Sequence, residues 1–228
     1  MTPPRDALSY DRVLQAALAL ADVHGLESLS MRRLGSELGV EAMSLYRHVA
    51  NKDALLDAMV DAIVQTWVDD AHPAVDDWRA RLSSIMHRAH RALLQRPWAV
   101  ELVTARPRVG DARLRYAEAV TTALLDGGFT PQLAHHGLHI VDGTIMGFTA
   151  QQARRPSAAA LGDRVQALHD GTLADTYPGI SRTIRERHDH HEEYALMVDL
   201  VIEGLGRLRD GRPPRRSESG AAYALSFS

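Results

Sequence analysis

The chain has no cysteine among its 228 residues, which excludes disulfides, thiolate metal sites and cysteine nucleophiles. Lysine is nearly missing: of 26 Lys and Arg residues only Lys52 is a lysine, a bias we attribute to base composition rather than mechanism. No apolar run reaches the ~18–20 residues of a membrane span. The opening MTPPRDALSYDR lacks the apolar stretch of a secretory signal. These absences predict a soluble, cytoplasmic protein without membrane contact. Excess positive charge is lacking too. The net charge is −3, and residues 1–68 hold only six basic side chains (Arg5, Arg12, Arg32, Arg33, Arg47, Lys52) against nine acidic ones. That counts against non-specific coating of nucleic acid, which counterion release from phosphates drives. It leaves room for site-specific binding by a few well-placed side chains.

What the chain does have is apolar residues, 45% of the total, enough for one large domain or two small ones. Their spacing is helical nearly throughout, with no strand pattern and no internal repeat. Ser9 or Asp11 caps a first helix ending at Gly25, with Val13, Leu14, Ala17, Leu18, Leu20 and Ala21 spaced for burial. Ser30 caps a second helix carrying Met31, Leu34 and Leu38, Gly39-Val40 makes a turn, and a short third helix from about Glu41 anchors through Leu45 and Val49. Asn51 caps a longer helix with Leu55, Leu56, Met59, Ile63, Val64 and Trp67. Pro73, Asp76 or Asp77, the pair Pro97 and Pro107, Gly110, Gly127-Gly128 and Thr130-Pro131 punctuate further helices, the last running to about Arg154. Residues 155–163 read as a small-residue loop, Tyr177-Pro178-Gly179 as a turn, 192–209 as a last long helix, and 210–228 as a disordered tail.

The block SMRRLGSELGVEAMSLYRHV, Ser30 to Val49, carries the functional signal. It is a helix–glycine turn–helix whose second helix spans about two turns and offers Ser44, Tyr46, Arg47 and His48, which is what entry into a DNA groove requires. Singly, each residue has an ordinary reading: Tyr46 as a half-wet core residue, Arg47 and His48 as solvated face, Ser44 as surface. Together with Arg32 and Arg33 on the supporting helix, and Lys52 where free helix N–H groups would also meet phosphate, they form a coherent DNA face.

At this point the chain resembles the tetracycline-repressor (TetR) family of transcriptional regulators. The residues that carry the resemblance run from Ala17 to Val60, with looser landmarks in DDW at Trp78, TARP at Thr104–Pro107 and LLDGGFT at Leu124–Thr130. The resemblance implies an all-α fold of nine or ten helices: a three-helix helix-turn-helix DNA-binding domain (1–50), a connecting helix (51–67) and a C-terminal effector-binding and dimerisation domain (68–209). It implies a homodimer on double-stranded DNA with a near-palindromic operator, a small-molecule effector that releases it, and no enzymatic activity. The DNA face it implies comprises Arg32, Arg33, Ala42, Met43, Ser44, Tyr46, Arg47, His48 and Lys52. Arg47 stands where the namesake repressors often carry an aromatic, and an Arg there can read guanine through its fork.

The same resemblance places effector contacts at Ile85, Ala89, Leu102, Arg106, Ala117, Val120, His135, Leu138, His139, Asp142 and Met146. The tetracycline repressors carry His at positions matching Val68 and Leu102. Both are apolar here, which argues against a magnesium–tetracycline inducer and for a largely apolar effector with a polar end, with no cofactor. Leu196, Leu200 and Leu205 form a stripe expected at a dimer interface, together with the helix from Pro131. Two other classes compete. His135 and His139 have a two-ligand metal spacing, and HDHHEE from His188 is His-rich, yet neither forms a zinc-protease motif, and the latter also reads as a solvated helix start. An effector-independent architectural DNA binder would show a filled C-terminal domain.

Overall fold

The structure, a computed structural model, describes residues 7–68, 77–106, 110–154, 162–184 and 189–212. Among these there are eleven α-helices, one 3₁₀ turn and no strand. The first three helices pack as the sequence pattern dictates. In α1 (Tyr10–His24) the Ser9 hydroxyl accepts from the Arg12 N–H at the start, and Gly25, at φ +78°, ends it. A 3₁₀ turn, Leu26–Ser28, leads to α2 (Met31–Leu38), where the Ser30 hydroxyl accepts from the Arg33 N–H. Gly39 adopts the left-handed conformation, φ +67° and ψ 33°, that a Cβ would strain. α3 (Ala42–Leu45) is a single α-turn. The Arg47 and His48 N–H groups then bond three residues back, to Ser44 and Leu45, so the second half of the reading element is wound as a tighter turn.

α4 (Lys52–Val68) starts where the Asn51 side-chain Oδ1 accepts from the Ala54 N–H at 2.8 Å. It buries Leu55, Met59, Val60, Ile63, Val64 and Trp67, while Leu56 is half-buried. Six such side chains represent on the order of 10 kcal/mol of gross burial, an upper bound against an extended chain.

Around α4 stand α5 (Trp78–Gln95, capped by Asp77), α6 (Pro97–Ala105), α7 (Asp111–Asp126), α8 (Pro131–Ala153, capped by the Thr130 hydroxyl) and α11 (His190–Arg209). α4 packs on α5 and α7, and α8 packs on α5, α6, α7 and α11. Gly137 permits the α7–α8 contact, since a Cβ there would sit 2.7 Å from a Leu124 methyl.

Several expectations change. Residues 162 and 163, expected in a loop, open α9 (Gly162–His169). Tyr177-Pro178-Gly179 is not a free turn but the entry to α10 (Pro178–Thr183), because proline at the first helical position loses no hydrogen bond. Neither helix has an apolar stripe of its own to signal it. Leu205 faces its own subunit's core at 3% exposure, whereas Leu196 and Leu200 are 60% and 62% exposed. Residues 155–161, Pro73, Asp76, Pro107, His188 and 213–228 lie outside the described residues. No described helix is long and apolar enough to cross a membrane.

Candidate functional site

Leu45 and Val49 are buried in the core, and α3 packs on α2. That orientation leaves the other face outward. Met43 is 75% and Tyr46 43% exposed; Arg32, Arg33, Arg47 and Lys52 are exposed too, while Ala42, Ser44 and His48 are half-buried. None of those four cationic side chains has an ion-pair partner among the described residues. The nine positions lie on α2, on and just after α3, and in the first turn of α4, and none of them is in the buried core.

Two polar clasps hold this head to the rest of the chain. Asp22 of α1 accepts from the Arg96 Nε, at 3.0 and 3.1 Å to its two oxygens, and from the Trp98 Nε1 at 2.9 Å. Arg106, the residue that ends α6, donates from Nε to Asp57 at 2.6 Å, and from its terminal nitrogens to the Asp53 carboxylate at 3.3 Å and the Asp53 carbonyl at 3.0 Å. The Asp57 hydrogen bond holds the Arg106 guanidinium above its ordinary range. Arg106 therefore faces α4 and lines a small cleft with Tyr10 and Asp61, not the larger cavity described next.

That cavity, about 410 Å³, lies between the C-terminal half of α4 and helices α6, α7 and α8. Val64, Val103, Leu114, Ala117, Leu138 and Met146 supply apolar wall, and Trp67 and Tyr116 meet edge to face at 5.3 Å between ring centroids. The Tyr116 hydroxyl donates to Asp142 at 2.6 Å. Burial raises the Asp142 carboxyl above its ordinary value, and burial next to Asp142 raises the Tyr116 phenol well above its own. Arg113 donates to the carbonyls of Val103 and Arg106, gripping the end of α6. Its Nε, like the Nε1 of Trp67, is buried and has no hydrogen-bond partner among the described residues.

Of the eleven expected effector contacts, the structure brings Ala117, Leu138, Asp142 and Met146 to this cavity. Ile85, Ala89, Leu102 and Val120 are buried in the core outside its lining. His135 and His139 are exposed, their rings edge to face at 4.7 Å, because the face they share with Leu138 and Asp142 straddles the cavity rim. No cluster of three metal-ligating side chains occurs among the described residues. The sequence reading omits Arg113 and Tyr116. A signal existed: they stand one turn before the named Ala117 and Val120 on α7.

Comparisons with known proteins agree with this architecture. Residues 13–59 match the family described as bacterial regulatory proteins, tetR family, and residues 72–208 match the tetracyclin repressor-like C-terminal domain. The tetracycline repressor protein class C of Escherichia coli is 32% identical over 206 residues, covering 89% of this chain and 92% of the repressor. The HTH-type transcriptional repressor DrrR1 of Streptomyces coeruleorubidus is 34% identical over 155 residues, 68% of this chain but only 57% of that protein's length. An HTH-type transcriptional regulator of Saccharopolyspora erythraea is likewise spanned over 51% of its length, so the chain matches little more than half of these two relatives. Among solved structures, ActR of Streptomyces coelicolor in complex with actinorhodin superposes with a TM-score of 0.75 at 26% identity, covering 91% of this chain and 97% of ActR. The chain belongs to the TetR family of bacterial regulatory proteins.

Proposed function

We propose that this protein is a homodimeric transcriptional repressor that binds a near-palindromic operator and leaves it when a small, largely apolar effector with hydrogen-bond-accepting oxygens fills the α4–α6–α7–α8 cavity. The observation that carries the reading is the placement of α4: one end carries the DNA face, the other walls the cavity. The domain limits 1–50, 51–67 and 68–209 follow from that division of labour. The DNA contacts are Arg32, Arg33, Ala42, Met43, Ser44, Tyr46, Arg47, His48 and Lys52.

Trp67 and Arg113 line the cavity, and the buried Nε1 and Nε that lack a partner among the described residues are the donors a ligand oxygen would engage as it displaces the wall, while the Tyr116–Asp142 pair meets a hydroxyl. An acceptor on the ligand draws Arg113 off the end of α6, and Arg106, at that same end, passes the movement to Asp53 and Asp57 of α4. Release requires the effector to prefer the state that does not bind DNA. ActR has been crystallised with actinorhodin and with (S)-DNPA, and a TetR of Acinetobacter baumannii with minocycline, which supports an oxygenated ligand. Leu196 and Leu200 on α11, with Ile140 on α8, leave apolar area uncovered in one subunit, which supports the dimer.

The test is a mobility shift on DNA upstream of the gene, repeated with 1,8-dihydroxyanthraquinone as an acceptor-bearing probe and anthracene as the same ring system without oxygens. The quinone should release the DNA and anthracene should not. Release by both, or release that survives Leu138→Trp, would refute the cavity assignment. Sedimentation should give a dimer, and Leu196→Glu with Leu200→Glu a monomer with weakened operator binding.

A further inference from the structure

A second cavity, about 300 Å³, shares no lining residue with the first and lies between the last turns of α5 and the first turns of α11. Its floor is an aromatic stack. The His90 ring lies on Tyr194 at 3.7 Å and 14° between planes, and Phe148 packs against both. Both rings are fixed from behind: His90 Nδ1 is 2.8 Å from the Thr149 hydroxyl, and the Tyr194 hydroxyl donates to the Met86 carbonyl at 2.9 Å. His90 is 4% exposed, and its Nε2 has no partner among the described residues. A buried, unsatisfied imidazole nitrogen beside an open cavity is uncommon in a packed domain.

The walls are rich in nitrogen. His87, Arg91 and His191 line the cavity beside Leu94, and no carboxylate among the described residues does. Asp189, Glu192 and Glu193 flank His191 in the chain without reaching the lining. His87 Nδ1 donates to the Ser83 carbonyl at 2.8 Å, which fixes its tautomer and leaves Nε2 for a ligand. Arg91 is exposed and has no ion-pair partner among the described residues. An anion entering here meets a guanidinium fork and imidazoles, while a flat ring beside it covers Leu94 and the Tyr194 edge.

We propose that this α5–α11 cavity is a second small-molecule site, separate from the effector cavity, and that it takes a small aromatic carboxylate, the carboxylate on Arg91 with His87 or His191 and the ring against Leu94 and Tyr194. The site stands one residue from the head: Leu94 and Gln95 immediately precede Arg96, which grips Asp22 of α1. This assignment does not depend on what fills the larger cavity.

Calorimetric titration of the full chain with sodium benzoate tests it, with benzamide as the neutral counterpart. Benzoate should bind, and benzamide should bind at least about tenfold more weakly, because only the carboxylate brings a charge and two acceptor oxygens to the guanidinium. Arg91→Ala, at an exposed position with a melting temperature to confirm folding, should weaken benzoate about tenfold or more, with partial recovery in Arg91→Lys. Leu138→Trp, which fills the other cavity, should leave the benzoate affinity within about twofold. Absence of a benzoate signal, equal binding of benzamide, unchanged binding to Arg91→Ala, or loss in Leu138→Trp alone would each overturn the proposal.

Discussion

Cutting the clasp between Arg106 and α4 should uncouple the effector cavity from the DNA face, and the geometry sets the size of the effect. Arg106→Ala removes a 2.6 Å hydrogen bond to Asp57, whose side chain is 22% exposed, and a longer contact to Asp53, which is 80% exposed. The first is a charge-assisted bond in a partly dry site, worth about 1.5–3 kcal/mol. The second is screened by solvent and worth about 0–1 kcal/mol. A loss of about 2 kcal/mol in a chain of this length lowers the melting temperature by roughly 4–8 °C. Asp53 also stands in the first turn of α4 beside Lys52, the residue we propose meets operator phosphate. Losing its cationic partner should therefore weaken the operator complex most at low salt. The assay is a double-mutant cycle of Arg106→Ala and Asp57→Asn, read by thermal melting and by operator titration with and without the probe quinone. The two substitutions should fail to add by more than ~0.5 kcal/mol. The shift in operator affinity caused by effector, about 5–150-fold for ordinary coupling, should shrink toward none. Additive melting effects together with undiminished release would refute the relay.

On the DNA face, Arg47→Ala should lose about 1–3 kcal/mol and relax preference at one or two base pairs, while Lys52→Ala should weaken all sequences alike and lower the salt slope by about one; titrations on operator and scrambled DNA at several salt concentrations separate the two. Asp142 has a raised folded-state pKa, so its ionised form opposes folding above that value. Asp142→Asn, which still accepts from Tyr116, should therefore melt higher than wild type at pH 7, with the gap closing as pH falls toward the ordinary carboxylate range. His90 is the converse: burial first, then the nearby His87 and His191, depresses it to about 4 from 6.5. The unfolded chain then takes up the proton first, so stability should fall as pH drops from about 6.5 toward 4, and His90→Gln should flatten that slope in melts across the window.

The sequence alone determined the helical class, the starts and stops of the long helices and which side of the Ser30–Val49 block is left outward, because these depend on local chemistry. Ser9, Ser30, Asn51 and Thr130 cap the helices that follow them, Gly25 and Gly39 end the first two of these through positive φ, and the apolar stripe through Leu45 and Val49 dictates which side of the reading element is left outward. α9 and α10 were not legible, since neither buries an apolar face that would impose a period on its residues. Only the tertiary structure decided which polar groups meet. Arg106 carried the same charge and spacing whether it faced a ligand or α4, and the packing of α6 on α4 turned it to Asp53 and Asp57. Arg113 became a cavity donor because α7 lies between α4 and α8, and His135 parted from Leu138 because α8 crosses the cavity at its rim. Periodicity assigns a residue to a face of its own helix; the neighbour that face meets is set by helices far away in the chain.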